Sequence, residues 1–202
     1  MSCYTRPRVP GACVFFTVNL AVRGSRLLVD EIDLLRGAVG LTRKTRPFHV
    51  DAWMVLPDHM HCIWTLPEGD ADYSTRWGAI KARFTRSLRE DGYDVGRPGF
   101  SPATGFPGVA PGRNANRRPG FSPAVELPVV SSGRYAGLKP GLRVNKRECA
   151  VWQRRFWEHH VRDAAEYDAL MRYCRENPVK HGFVERAEDW PYSSVHGRVR
   201  NA

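Results

Sequence analysis

Two histidines separated by one residue, His59 and His61, stand in the run PDHMHCIWTLP. In a strand, side chains alternate, so His59, His61, Ile63 and Thr65 share one face while Met60, Cys62, Trp64 and Leu66 share the other. The second set is apolar throughout and is the expected core face. Two imidazoles side by side on the less apolar face can each give one nitrogen to a single divalent ion. A pair of surface histidines on a half-solvated strand has the same spacing, so the motif needs a partner. Near the other end of the chain, Tyr167, Leu170, Met171 and Cys174 recur at helical spacing. At ~100° per residue, Tyr173 points roughly 110° from the middle of that stripe and Asn177 lies within about 40° of Tyr173. A tyrosine off the apolar stripe is a candidate nucleophile beside a metal, and equally a flanking residue with its ring edge buried and its hydroxyl wet. An asparagine before proline also ends helices by bonding its own backbone. Residue types alone leave both readings open.

The elements that must position these residues are legible in the pattern. Residues 12–20 (ACVFFTVNL) are β-branched and aromatic, a strand. Asp30 can cap a helix whose apolar positions Ile32, Leu35 and Val39 recur at helical spacing and which ends before Pro47. Residues 48–56 and 59–66 read as two strands joined by a tight turn at Pro57 and Asp58. Tyr73, Trp77, Ile80, Phe84 and Leu88 then form one helical stripe, with Asp72 or Ser74 as cap and with Arg76, Arg83, Arg86 and Arg89 on the other side. Residues 156–161 supply a fourth strand. Asp163 or the residues just after it open a last helix, expected to reach about Glu176, before Pro178. The order β-α-β-β-α-β plus a helix predicts an α+β, ferredoxin-like (split βαβ) antiparallel sheet with flanking helices.

Composition sets the surroundings. With 31 lysines and arginines against 21 acidic residues, the 202-residue chain carries a formal charge of +10, which favours a polyanionic partner such as nucleic acid. Five scattered cysteines (Cys3, Cys13, Cys62, Cys149, Cys174) without C-x-x-C spacing speak against a disulfide framework or a zinc ribbon and fit a reducing cytoplasm. No apolar run reaches the ~18 residues of a membrane helix and no signal peptide is evident, so a soluble cytoplasmic protein is expected. From about residue 92 to 146 the sequence turns rich in Gly, Pro, Ser and Arg, and the heptapeptide RPGFSPA occurs there twice, at 97–103 and 118–124. Such a segment has little apolar surface to offset its ordering entropy, so it reads as a long flexible insertion within a single domain spanning 1–202. Neither flank is large enough to close a core alone.

Three segments, DAWMVLPDHMHCIWTLPEGD, WQRRFWEH and YCRENPVKHGFV with DWPYSS, closely resemble the REP-associated tyrosine transposases, bacterial relatives of the single-tyrosine HUH transposases. The likeness covers roughly residues 10–90 and 150–196. It implies a metal-dependent single-strand DNA endonuclease and strand transferase, with Tyr173 as nucleophile and His59, His61 and Asn177 as ligands of Mg²⁺ or Mn²⁺. The implied intermediate is a 5′-phosphotyrosine. The implied partner is single-stranded DNA that folds into hairpins at imperfect palindromes, met in the nucleoid by a monomer or a homodimer. The insertion departs from the family pattern. Its repeats, with GLKPGL at 137–142, are those expected if a palindromic element entered the gene and was translated in frame.

DNA contacts are expected from Arg76, Arg83, Arg86, Arg89, Arg154, Arg155, Lys180 and His181, with Trp157 or Trp190 available to stack on a base. The sequence names no base for the tyrosine proton. The leading alternative is a catalytically inactive hairpin-binding protein derived from a transposase. An RRM-like binder would carry an RNP signature, and a two-histidine-motif phosphoesterase would need a second H-x-[ST] motif; both are absent from the sequence.

Overall fold

The computed structural model describes residues 7–93, 95 and 151–194. Most of the Gly/Pro-rich insertion, its repeats, Cys3 and Cys149 lie outside these residues. In chain order the elements are β1 (Cys13–Asn19), α1 (Leu27–Asp30), α2 (Ile32–Thr45), β2 (His49–Val55), β3 (His59–Thr65), α3 (Tyr73–Glu90), β4 (Trp157–His160) and α4 (Ala164–Lys180), with a 3-10 turn at Ala187–Asp189. The sheet runs β2-β3-β1-β4 with every neighbour antiparallel, the split βαβ arrangement expected from the element order.

One face of the sheet is an aromatic core. Phe16 and Trp64 meet at 4.9 Å between ring centroids, and Trp64 stacks on Trp77 of α3 at 4.3 Å. All five stripe residues of α3 are at most 1% exposed, and α2 packs beside α3 over the same face. Asp72 caps α3, its carboxylate accepting from the Thr75 amide at 3.0 Å. The helix ends where Gly92 turns left-handed (φ 91°), a conformation costly for any residue with a Cβ. The folded part runs a little past the expected boundary. Val95 is buried, and the Tyr93 hydroxyl bonds Glu31.

Two helix expectations need correction. Asp30 is no cap, because the helical backbone begins at Leu27 and breaks at Glu31, letting Leu27, Leu28 and Val29 be buried together. Asp30 pairs with Arg26 at 3.5 Å instead. The last helix does not stop before Pro178. It continues to Lys180 with the proline inside its final turn. The missing Pro178 N–H costs one hydrogen bond of the ladder, while the next turn closes with His181 N–H bonding Asn177 O at 3.0 Å.

The face carrying His59 and His61 is covered where half-solvation was one reading. Helix α4 lies across β2 and β3, so every residue of β3 but Thr65 is buried. Part of that face stays open at Trp157 of β4 and at the His49–Thr65 end of β2 and β3. The segment after the 3-10 turn seals the other edge. Tyr192 O accepts from Val55 N at 2.9 Å, Ser194 N bonds Trp53 O at 2.8 Å, and Trp190 donates its indole N–H to Val55 O at 2.9 Å. An open strand edge is thereby paired. Trp190, 4% exposed, is core and is not available to stack on a base.

Candidate active site

Register places Met54, His61, Thr17 and Trp157 in one row across β2, β3, β1 and β4. In the middle of the row, Thr17 Oγ1 lies 2.9 Å from His61 Nδ1. The neighbouring His59 Nδ1 lies 2.6 Å from Asp58 Oδ1. Each ring is thus anchored through Nδ1, an arrangement that leaves Nε2 as the nitrogen that could face an ion. Asp58 is itself anchored by the Gly24 amide at 2.7 Å. Burial raises the Asp58 carboxyl pKa, but the bonds from His59 and Gly24 and the charges of His59 and Arg23 outweigh it, so the net shift is downward. Burial, then the charges of His59, His181 and Arg23, pushes His61 down to about 3. A neutral imidazole at pH 7 keeps its lone pair for an ion.

Helix α4 brings the remaining groups. Tyr173 is 38% exposed, with its hydroxyl 3.4 Å from His61 Nε2 and its ring edge-on to His61 at 5.1 Å. One turn on, Asn177 is 1% exposed, and neither its amide nitrogen nor its oxygen has a hydrogen-bond partner. A buried, unpartnered amide is rare because it costs about 1–3 kcal/mol. Both residues line one surface cleft on α4 with Lys180. Among the described residues no group of three or more His, Cys, Asp and Glu is placed to hold an ion. A divalent ion here would therefore rest on two imidazoles and an amide oxygen, and the orphaned Asn177 side chain fits such a role.

The expected DNA-binding cations divide. Lys180 Nζ stands 5.8 Å above the Tyr173 ring, and His181 packs edge-on to His59 at 5.5 Å. Arg154 and Arg155 are exposed just before β4. Arg83, Arg86 and Arg89 lie on α3, on the far side of the sheet from Tyr173. Arg83 bonds Thr42 and Arg89 bonds the Val95 carbonyl. Arg76 is 3% exposed. It grips Asp70 with both terminal nitrogens at 3.0 and 2.7 Å and donates to the carbonyls of Arg46, Pro47 and Asp72. It holds the α2–β2 loop to α3 and has no free face for a phosphate. Helical spacing shows direction from the axis but not that a loop will fold over the residue. The sequence reading also passed over Asp58 and Thr17. Asp58 was detectable as the acidic neighbour of His59, whereas Thr17 needs the β1–β3 register.

A buried histidine pair on the α4 side of a split βαβ sheet, with a tyrosine brought beside it by the final helix, sets the class of fold and site to which the chain can be compared. No protein-family model matches the chain. It is 36% identical over 199 residues to the REP-associated tyrosine transposase of Escherichia coli, covering 98% of this chain and 86% of the relative. A relative from Haemophilus influenzae assigned to the same group is 34% identical over 200 residues, covering 99% and 89%. A solved structure described as the REP-associated tyrosine transposase bound to a REP hairpin superposes with a TM-score of 0.68 at 36% identity, covering all of this chain and 87% of that one. The chain belongs to the REP-associated tyrosine transposases. No helix among the described residues is long and apolar enough to cross a membrane.

Proposed function

We propose that this protein cleaves and rejoins single-stranded DNA beside hairpin-forming palindromes, as a single-tyrosine HUH transposase with Tyr173 as nucleophile. The observation that carries the reading is the meeting of the Tyr173 hydroxyl with Nε2 of His61, one of two buried histidines, at 3.4 Å, with an unpartnered Asn177 one helical turn along the same cleft. The relative solved with a REP hairpin supports the class of substrate.

Tyr173 Oη would attack the phosphorus of a phosphodiester, forming a P–O bond to tyrosine as the bond to the 3′ oxygen breaks. The leaving strand takes up a proton as a free 3′-hydroxyl, and the 5′-phosphate stays on Tyr173. Ester is exchanged for ester, so a later 3′-hydroxyl can reverse the step and join strands. Mg²⁺ or Mn²⁺ on His59, His61 and Asn177, when bound, supplies charge that polarises the scissile phosphate. The protein's own groups do the rest. Asp58 and Thr17 orient the imidazoles, and α4 sets Tyr173 close to His61 so that nucleophile and phosphate meet in line. Lys180 stands over the tyrosine ring and offers positive charge to the strand, while His181, packed on His59 and with its pKa lowered chiefly by burial, offers an imidazole for hydrogen bonding. Three neutral ligands make a weak site, so ion affinity should rise when DNA phosphate joins the shell.

The test is a denaturing gel of end-labelled hairpin oligonucleotides from around the gene, incubated with protein and Mg²⁺, Mn²⁺ or EDTA. A covalent protein–DNA band that needs metal and is lost in Tyr173→Phe is expected. Binding without a covalent band in the wild type would mean an inactive hairpin binder, and cleavage by Tyr173→Phe would mean another nucleophile.

A further inference from the structure

Of the six tryptophans, five are wholly or partly packed inside, while Trp157 on the edge strand β4 is 55% exposed. Leaving an indole half in water forfeits roughly 1 kcal/mol or more of burial, so its position invites a use. Its surroundings are built. His159 lies parallel to the indole, with an interplanar angle of 5° and ring centroids 5.7 Å apart. That imidazole is held from behind by Glu166, Nε2 to Oε1 at 2.9 Å, and Arg162 bonds the same carboxylate. Phe15 meets the indole edge-on at 5.8 Å and, on its other side, meets Tyr173 edge-on at 5.9 Å. Tyr173, the buried Phe15, Trp157 and His159 are therefore in continuous ring contact from α4 across β1 to β4, and Trp157 is the member of the strip most open to solvent.

We propose that Trp157 is the stacking platform for one unpaired base beside the scissile phosphate, with Phe15 and His159 fixing the plane of the indole. This rests on the cleavage reading above and adds to it the residue that places the flanking nucleotide. Trp157 and His61 occupy the same row with one strand between them, roughly 10 Å apart at two strand spacings. That is the reach of the nucleotide next to a phosphate gripped at His61 and Tyr173. A single open indole face takes one base and cannot take a base inside a duplex, so it selects single-stranded DNA. The charge nearby suits a nucleic acid better than an acidic or apolar protein surface. Arg154 and Arg155 are exposed at the start of β4 and Lys180 stands by Tyr173, while the nearest carboxylate on the strip, Glu166, is neutralised by Arg162. Stacking holds any base, so Trp157 sets the register of the strand on Tyr173 without dictating its sequence.

The experiment measures binding of full-length Tyr173→Phe protein, alone and combined with Trp157→Ala or Trp157→Phe, to a hairpin oligonucleotide. A single abasic residue is moved one position at a time through the single-stranded segment beside the stem. With Trp157 present, one abasic position should weaken binding roughly 5- to 150-fold. Trp157→Ala should bind the intact oligonucleotide weaker by a similar factor and show no further loss at that position, whereas Trp157→Phe should keep most of the affinity and of the abasic penalty. Trp157→Ala with wild-type affinity, or with the same abasic penalty at every position, overturns the proposal. So does a loss equal on duplex and single-stranded DNA. Because binding is read in a protein that cannot form the covalent link, failure of the stacking proposal is separate from failure of the cleavage reading, which the wild-type covalent band decides.

Discussion

Replacing Asn177 with leucine should stabilise the metal-free protein while abolishing its response to metal. The Asn177 amide sits 1% exposed with both polar atoms unpartnered, a desolvation cost of about 1–3 kcal/mol. Leucine has the same branched outline, removes that cost and gains about 0.5 kcal/mol of helix propensity in α4. Its extra apolar burial, about 1.5–3 kcal/mol, is offset by about 1–3 kcal/mol of crowding against the sheet. With those two cancelling, the sum is a gain of about 1.5–3.5 kcal/mol, or about 3–14 °C in Tm for a chain of this size. In the wild type, an ion at 100 times its Kd adds about 2.7 kcal/mol, and the variant should gain little of it. Thermal and urea melts in EDTA and in Mn²⁺, with and without a hairpin oligonucleotide, read both effects beside the covalent-adduct gel. An Asn177→Leu protein less stable than wild type in EDTA would show that the amide has structural partners. One that keeps the full metal-dependent shift would remove Asn177 from the ligand set.

Arg76→Met should cost about 3–5 kcal/mol in urea unfolding, because it strands three carbonyls and Asp70 that the guanidinium now satisfies. A loss below 1 kcal/mol accompanied by weaker DNA binding would instead make Arg76 a phosphate contact. Asp58→Asn should lower metal affinity roughly 10- to 100-fold by releasing the His59 ring, seen as a rightward shift of the Mn²⁺ titration of adduct formation; an unshifted titration would show that Asp58 serves only the Gly24 turn. Stability should fall as pH drops below the ordinary histidine value of 6.5. His61, held down to about 3, stays neutral in the fold while the unfolded chain takes up its proton, and His160, lowered chiefly by burial, adds to the slope in the same direction. His160→Gln should make that acid slope shallower, and an unchanged slope would take His160 out of the account.

Sequence alone determined what depends on local periodicity. The alternation in β3 put His59 and His61 on one face, the stripe of α3 marked its core, and the off-stripe angle of Tyr173 anticipated its exposure, because strand and helix directions follow from backbone geometry. The resemblance of three segments named the family that the comparisons then showed. Only tertiary structure decided which of those side chains meet and which are covered. Burial of the histidine face follows from α4 crossing β2 and β3, and capture of Arg76 follows from the loop ending at Pro47 folding over α3. The placement of Thr17 and Trp157 in one row with His61 follows from the register of β1 with both of its neighbours. These facts live in contacts between residues far apart in the chain, where helical or strand periodicity gives a direction but no partner. Trp157 and Trp190 show the difference plainly. They are the same residue type in the same aromatic-rich end of the chain, and the sheet edge each one met left the first half in solvent and closed the second inside.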